Sequence, residues 1–275
     1  MPKTSFVPWV PFAEYRERFA EHFVMERADG VLEVRFHTEG GEALWSLELH
    51  RALSQLFQAV GQDPDNEVMI ITGTGDNWLT KRDVDSMAQV ITPNYDVWYA
   101  DGSKLIENLL WCVDIPTIAA INGPGFHTEF GLLCDLTVAS DDARFFEPHF
   151  ALGVVPGDGQ FLVYQQLLGL KRANHAMYLR TDGLSAAEAL EWGLIGETVP
   201  RDEVLPRARE IAGKIMEQPR VIRRLTSQVA KRPWRRAVQA DFGMHLAHEL
   251  FAGNVAPRPL SNFERADREA FGAGQ

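Results

Sequence analysis

Residues 115–124, Ile115-Pro116-Thr117-Ile118-Ala119-Ala120-Ile121-Asn122-Gly123-Pro124, carry the reading on which the fold depends. The apolar run from Ile115 to Ile121 predicts a strand, and Asn122-Gly123-Pro124 stops it. Asn and Gly accept turn backbone angles, and Pro has no N–H to give a ladder. A helix through residues 128–134 is expected next, and Leu136 to Ala139 reads as the following strand.

The same alternation extends towards the N-terminus. Glu67-Val68-Met69-Ile70-Ile71-Thr72 reads as a strand ended by Gly73 and Gly75, and residues 103–112 as a helix. Earlier still, Val31-Leu32-Glu33-Val34-Arg35-Phe36 alternates, which puts Leu32, Val34 and Phe36 on one face and Glu33 and Arg35 on the other. Residues 46–60 then carry Leu49, Leu53, Leu56, Phe57 and Val60 at helical spacing, with Ser46 as N-cap and Gly61 as stop. Towards the C-terminus, Ser185-Ala186-Ala187-Glu188 is a capping box whose helix Gly193 ends at Trp192. Beyond Pro200, residues 203–217, 220–231 and 235–252 read as helices with almost no strand signal. The division expected is an N-terminal arm at 1–30, an α/β core at 31–200 and a helical region at 201–275, whose tail after Gly253, with Pro257 and Pro259, is ordered only against a neighbour.

Composition bounds the function. A chain of 275 residues that is 45% hydrophobic and 24% charged buries a sizeable core. A net charge of -11 makes it a poor partner for the phosphates of nucleic acid. The only cysteines, Cys112 and Cys134, lie in apolar stretches and read as reduced core residues. Phe6-Val7-Pro8-Trp9-Val10-Pro11-Phe12 is too short and too interrupted by Pro for a signal or membrane segment, so a cytoplasmic protein without membrane contact is expected.

Over roughly residues 30–252 the order of elements resembles the crotonase (enoyl-CoA hydratase/isomerase) superfamily. The likeness rests on Ile115 to Gly123 as the strand entering an oxyanion loop, on Cys134-Asp135-Leu136 closing the next helix, and on Leu184-Ser185-Ala186-Ala187-Glu188-Ala189-Leu190-Glu191-Trp192-Gly193-Leu194-Ile195. The resemblance implies a spiral of repeated ββα units with a C-terminal helical trimerisation layer, assembled as a trimer or a dimer of trimers. It also implies chemistry through an enolate or oxyanion, with no cofactor. In hydratases of the family two backbone N–H groups hold the oxyanion of an acyl-CoA thioester and two glutamates act as acid and base.

This chain departs from that pattern. The loop Gly123-Pro124-Gly125-Phe126-His127-Thr128-Glu129 keeps Glu129 at the first glutamate position but replaces the paired glycines, and His149 stands where the second glutamate would be. The set Trp45, His50, His127, His149, Asp158 and Glu249 is similar instead to 6-oxocamphor hydrolase and related β-diketone hydrolases. These cleave a carbon–carbon bond between two ketones, a retro-Claisen hydrolysis, without coenzyme A. The resemblance makes a small-molecule diketone the expected partner.

Such hydrolysis needs a base for water, a donor for the carbonyl that becomes an enolate, and a proton returned to carbon. His149 suits the base, with Asp158 accepting its other N–H; they stand nine positions apart (158 - 149 = 9), so no single helix face joins them. His127 and the Trp45 indole N–H are candidates for the carbonyl, His127 or Glu129 for the returning proton, and Phe126 and Phe150 for pocket selectivity. Plainer roles stand beside these: Asp158 as a helix N-cap, His50 as a face-mate of Leu53 and Phe57, Trp45 as packing and Glu249 as a solvated helix charge. No metal site is expected, because His245-x2-His248-Glu249 lacks the i, i+4 histidine pair of a zinc helix. The rival enzymes are an acyl-CoA hydratase, thioester hydrolase or dehalogenase of the same superfamily, with Lys81 and Arg82 available to a CoA phosphate. A non-catalytic trimeric binding protein is the third class.

Overall fold

Alternation at period two governs the central sheet. The computed structural model describes residues 7–88, 95–180 and 182–256. Helix α1 (Phe12–Arg18) leads into the antiparallel pair β1 (Phe23–Ala28) and β2 (Val31–Phe36). There follow α2 (Leu47–Gln62), β3 (Val68–Thr72), α3 (Gly102–Trp111), β4 (Thr117–Ile121), α4 (Glu129–Leu132) and β5 (Leu136–Ser140). Helices α5 (His149–Leu152), α6 (Gln160–Leu179) and α7 (Ala186–Trp192) precede the last strand, β6 (Glu197–Val199). Helices α8 (Val204–Met216), α9 (Arg220–Ala230) and α10 (Gly243–Val255) complete the chain. The sheet runs β1-β2-β3-β4-β5-β6 in space, parallel from β2 onward, so each new strand adds to the same edge.

Because β3 and β4 are central, both faces of each are buried and alternate residues feed different cores. Met69, Ile71, Ala119 and Ile121 join the large cluster under α2 and α3. Val68, Ile70, Ile118 and Ala120 meet Val204, Ala208 and Ala212 of α8 on the other side. The fully buried Lys231 donates to the carbonyls of Val113 (3.0 Å) and Ile115 (2.9 Å), tying the C-terminal helices to the entrance of β4.

On α2 the Ser46 hydroxyl accepts the Leu49 N–H at 3.0 Å, and Leu49, Leu53, Leu56, Phe57 and Val60 are each 1% exposed or less. Burying side chains of this size stabilises by roughly 1.5–3 kcal/mol each. The capping box at Ser185 is formed with Glu188, and Gly193 ends α7 in the left-handed conformation.

The structure corrects two local expectations. Residues 1–30 read as an arm, but Phe23–Ala28 is a strand of the main sheet: Phe23 and Met25 are buried opposite Phe36 and Val34, while Val24 and Glu26 are exposed. Gly61 read as a helix stop, yet α2 runs through it to Gln62. A Cβ at Gly61 would lie 1.9 Å from the Cys112 carbonyl oxygen, so glycine is there for close approach to the chain after α3. Both cysteines are free thiols, Cys134 buried and Cys112 half-buried. No helix among the described residues is long and apolar enough to cross a membrane. Pro257 and Pro259 lie outside the described residues.

Candidate active site

Parallel strands deliver their loops at one end, and the chemistry-bearing side chains collect there. Trp45 ends the two-residue strand Leu44–Trp45, which pairs in parallel with Lys81–Arg82, and His50 stands one turn into α2. After β4, Asn122 donates to the carbonyls of Gly75 (2.8 Å) and Asn77 (2.9 Å), anchoring the turn that leads to His127. In this loop the Gly125 N–H donates to the Arg144 carbonyl and the Phe126 N–H to the Leu79 carbonyl, both at 2.9 Å, so neither amide is free for an oxyanion. His127 itself adopts φ 48°, a left-handed conformation unusual for a residue with a Cβ.

Five loops and helices converge on one cluster. The His127 ring stacks on Trp45, with centroids 4.0 Å apart and planes 24° apart, and Trp45 meets His50 edge-on at 5.6 Å. His127 Nδ1 lies 3.1 Å from Glu129 Oε1 and 3.2 Å from the Gln160 amide nitrogen. His149 Nε2 is 3.4 Å from Asp158 Oδ2, and its Nδ1 is 2.5 Å from Glu147 Oε1. From α10, Glu249 accepts the Gly157 N–H at 3.2 Å. A Cβ on Gly157 would lie 2.3 Å from the His245 carbonyl, so only glycine lets this loop reach α10.

Burial sorts the charges. It pushes His127 down to about 3 and His50 down to about 4, so both rings are neutral at pH 7. Burial and then the charge of Asp158 push Glu249 up to about 8 and hold Glu129 well above the usual carboxylate range. For His149 burial opposes the charge, but the carboxylates of Glu147 and Asp158 outweigh it and hold the ring well above its ordinary value. Asp158 stays ionised: burial acts against it, while the His149 imidazolium and the Gln160 backbone N–H bring it down. Oδ1 of Asp158 and Oε2 of Glu129 have no hydrogen-bond partner among the described residues.

Glu249 makes one consequence measurable. Between the unfolded value of about 4.3 and the folded value, the unfolded chain releases a proton that the native state keeps, so stability falls as pH rises through that window. Glu249→Gln should therefore stabilise the protein at pH 8 by on the order of 1–3 kcal/mol and hardly at all at pH 5. Thermal midpoints at the two pH values check this; equal shifts at both would overturn it.

A family model described as enoyl-CoA hydratase/isomerase matches residues 26–252. The chain belongs to the enoyl-CoA hydratase/isomerase family. Within it, the chain is 33% identical over 175 residues to a crotonyl-CoA hydratase from Syntrophomonas wolfei, a match spanning 62% of this chain and 66% of that protein. It is 26% identical to the carnitinyl-CoA dehydratase of Escherichia coli over 90% of this chain and 97% of that one. Among solved structures, a β-diketone hydrolase from the cyanobacterium Anabaena sp. PCC 7120, bound to (S)-3-oxocyclohexyl acetic acid, superposes with a TM-score of 0.82 at 33% identity. That superposition covers 88% of this chain and 97% of the other.

The site holds three imidazoles, His50, His127 and His149. The structure brings together Trp45, His50, His127, Glu129, His149, Asp158 and Glu249. Glu249 is 5% exposed and turned inward, not solvated. Asp158 faces His149, and helix α6 has Gly159 at its N-cap without a side-chain cap. Two expected residues contribute aromatic rings. Phe126 is fully buried, with the Arg82 guanidinium over its ring at 4.1 Å and an edge towards His127; Phe150 is 47% exposed and packs on Tyr178.

Sequence reasoning missed Glu147 and Gln160, both buried. The Glu147-Pro148-His149 order was the available signal for the first: a glutamate two residues before a histidine can curl back onto it. His127, His149 and Asp158 hold ligand-type atoms within 4.8 Å of one another, a spread that would admit an ion. Their ring and carboxylate atoms also account for one another as an ion-pair network, which is the chemistry developed below. His248 bonds the Met244 carbonyl of its own helix at 2.7 Å while Glu249 reaches Gly157, so that pair is divided between two environments.

Proposed function

We propose that this enzyme hydrolyses a carbon–carbon bond of a cyclic or bicyclic β-diketone to give a keto acid, with water activated by the His149/Asp158 pair. The observation that carries the reading is the ion pair at 3.4 Å between His149 Nε2 and Asp158 Oδ2, standing where a hydratase needs a glutamate. The pair removes a proton from water, the hydroxide adds to one carbonyl carbon, and the bond to the shared carbon breaks. Its electrons pass into the other ketone as an enolate. The Gln160 amide nitrogen, a donor, lies 3.2 Å from Nδ1 of His127, while Asp158 Oδ2 is farther off at 3.7 Å, so the ring proton is assigned to Nε2, where it can hold the enolate oxygen together with the Trp45 indole N–H. Glu129, held well above the usual carboxylate range by burial, suits the return of a proton to carbon better than His127, which burial pushes down to about 3.

The engaged amides of Gly125 and Phe126 support the reading, since side-chain donors then replace a backbone oxyanion hole. So does the likeness to the cyanobacterial β-diketone hydrolase, whose bound keto acid has the product's chemistry. Assembly as a trimer or a dimer of trimers belongs to the same proposal; Val221, Ile222, Leu225 and Val229 of α9 are exposed and would supply an apolar face.

The second reading is acyl-CoA chemistry, favoured by the named activities of the hydratase and dehydratase relatives. One experiment separates the two: the purified protein receives a bicyclic 1,3-diketone in one tube and crotonyl-CoA in another, with products read by mass spectrometry. A keto acid heavier than the diketone by one water is expected. A hydrated or hydrolysed thioester beside untouched diketone would overturn the hydrolase reading.

A further inference from the structure

We propose that Glu147 is a positioning residue that converts the His149/Asp158 pair into a carboxylate–imidazolium–carboxylate triad, and thereby assigns the uptake of water's proton to Asp158. Glu147 precedes Pro148, whose ring opens the turn of α5. Its side chain folds back on the residue two positions ahead, so that Oε1 accepts both the His149 backbone N–H (2.8 Å) and the ring Nδ1–H (2.5 Å), with Oε2 at 3.1 Å. The carboxylate is 6% exposed and cannot turn to solvent. Held in this way, the ring aims Nε2 at Asp158.

A ring with a carboxylate on each nitrogen carries two N–H donors and no lone pair. His149 therefore cannot itself take a proton from water while both contacts are made. The acceptor left is Asp158 Oδ1, buried and without a hydrogen-bond partner among the described residues. In the step, a water O–H bond breaks, the proton bonds to Asp158, and the hydroxide's electron pair forms the bond to the carbonyl carbon.

The groups facing His149 fix the local charge. They are Glu147 and Asp158 from the loops, Glu249 from α10, and His127 and Glu129 from the loop and helix after β4. Arg82 adds a positive charge opposite His127. Glu147 keeps a carboxylate on the His149 ring when Asp158 takes up the proton, so the ring does not lose both partners in the step.

The mechanism rests on the hydrolytic reading, whereas the titration does not, and the test uses both. Ring nitrogens of ¹⁵N-histidine-labelled protein are followed by NMR from pH 5 to 9, with His149 identified by its loss in His149→Asn. The expected result is a His149 that stays doubly protonated through pH 8, and a Glu147→Gln variant in which it deprotonates about 1–3 pH units lower. On the diketone, kcat of Glu147→Gln should fall on the order of 10²-fold with KM changed little. A wild-type His149 that titrates near pH 6.5 overturns the proposal, even if the variant does not fold. So does a variant with unchanged His149 titration or unchanged kcat. A doubly protonated His149 in a protein that leaves the diketone intact would keep Glu147 in its structural place and remove the hydrolytic reading instead.

Discussion

Asp158→Asn should leave a folded protein whose kcat on a β-diketone is lower by about 10⁴-fold, the scale on which neutralising the carboxylate of a His–Asp pair acts. The exchange is isosteric, and an amide oxygen can still accept the Gln160 N–H. What is lost is the negative charge opposite His149 Nε2 and the atom that can hold a proton. Stability should change little, because two effects oppose each other. Asp158 is itself stabilised as a carboxylate by His149, but its charge also raises Glu129 and Glu249, and removing it relieves both. Steady-state kinetics with circular dichroism on the same sample checks this. Activity within threefold of the parent would take Asp158 out of the chemistry.

Gly61→Ala should destabilise the protein by about 3 kcal/mol or more, although alanine is the better helix former by roughly 1 kcal/mol. The sign is decided by the Cys112 carbonyl oxygen, 1.9 Å from the position the new Cβ would take. No flexible side chain is available to move; the backbone leaving α3 would have to shift, and α2 with it. Urea denaturation gives the difference directly. A loss under 1 kcal/mol would mean that the two chain segments do not meet so closely.

The contrast between Gly61 and the rest of α2 illustrates what could be read in the sequence. Period and caps are local, so Ser46, the Leu49 to Val60 face and the Ser185 box were all legible. Whether a glycine ends a helix or admits a neighbouring chain depends on a residue 51 positions away (112 - 61 = 51), and no local pattern contains that. The edge strand β1 escaped for a related reason: Phe23 and Met25 alternate, but only pairing with β2 separates them from the mixed composition around them.

The site divides in the same way. Residue types at recognisable motif positions pointed to His127, His149 and Asp158; Glu147 had only its place two residues before His149 as a signal, and Gln160 becomes visible only as a contact. Phe150 follows His149 directly in the sequence. A one-residue step around a helical turn points it instead towards Tyr178 and solvent.

The cluster draws on every layer of the chain, from Trp45 before α2 to Glu249 on α10. Its timing during synthesis follows from that. The contributing segments are spread over several connections, and parallel strands pair only after long intervening segments have been made. A chain leaving the ribosome can form the β1–β2 hairpin early, but it cannot assemble the charge pattern around His149 until α10 has emerged and docked. Until then the Gly157 N–H lacks the Glu249 carboxylate and the cluster lacks one of its buried acids, so an incomplete chain does not carry the complete site.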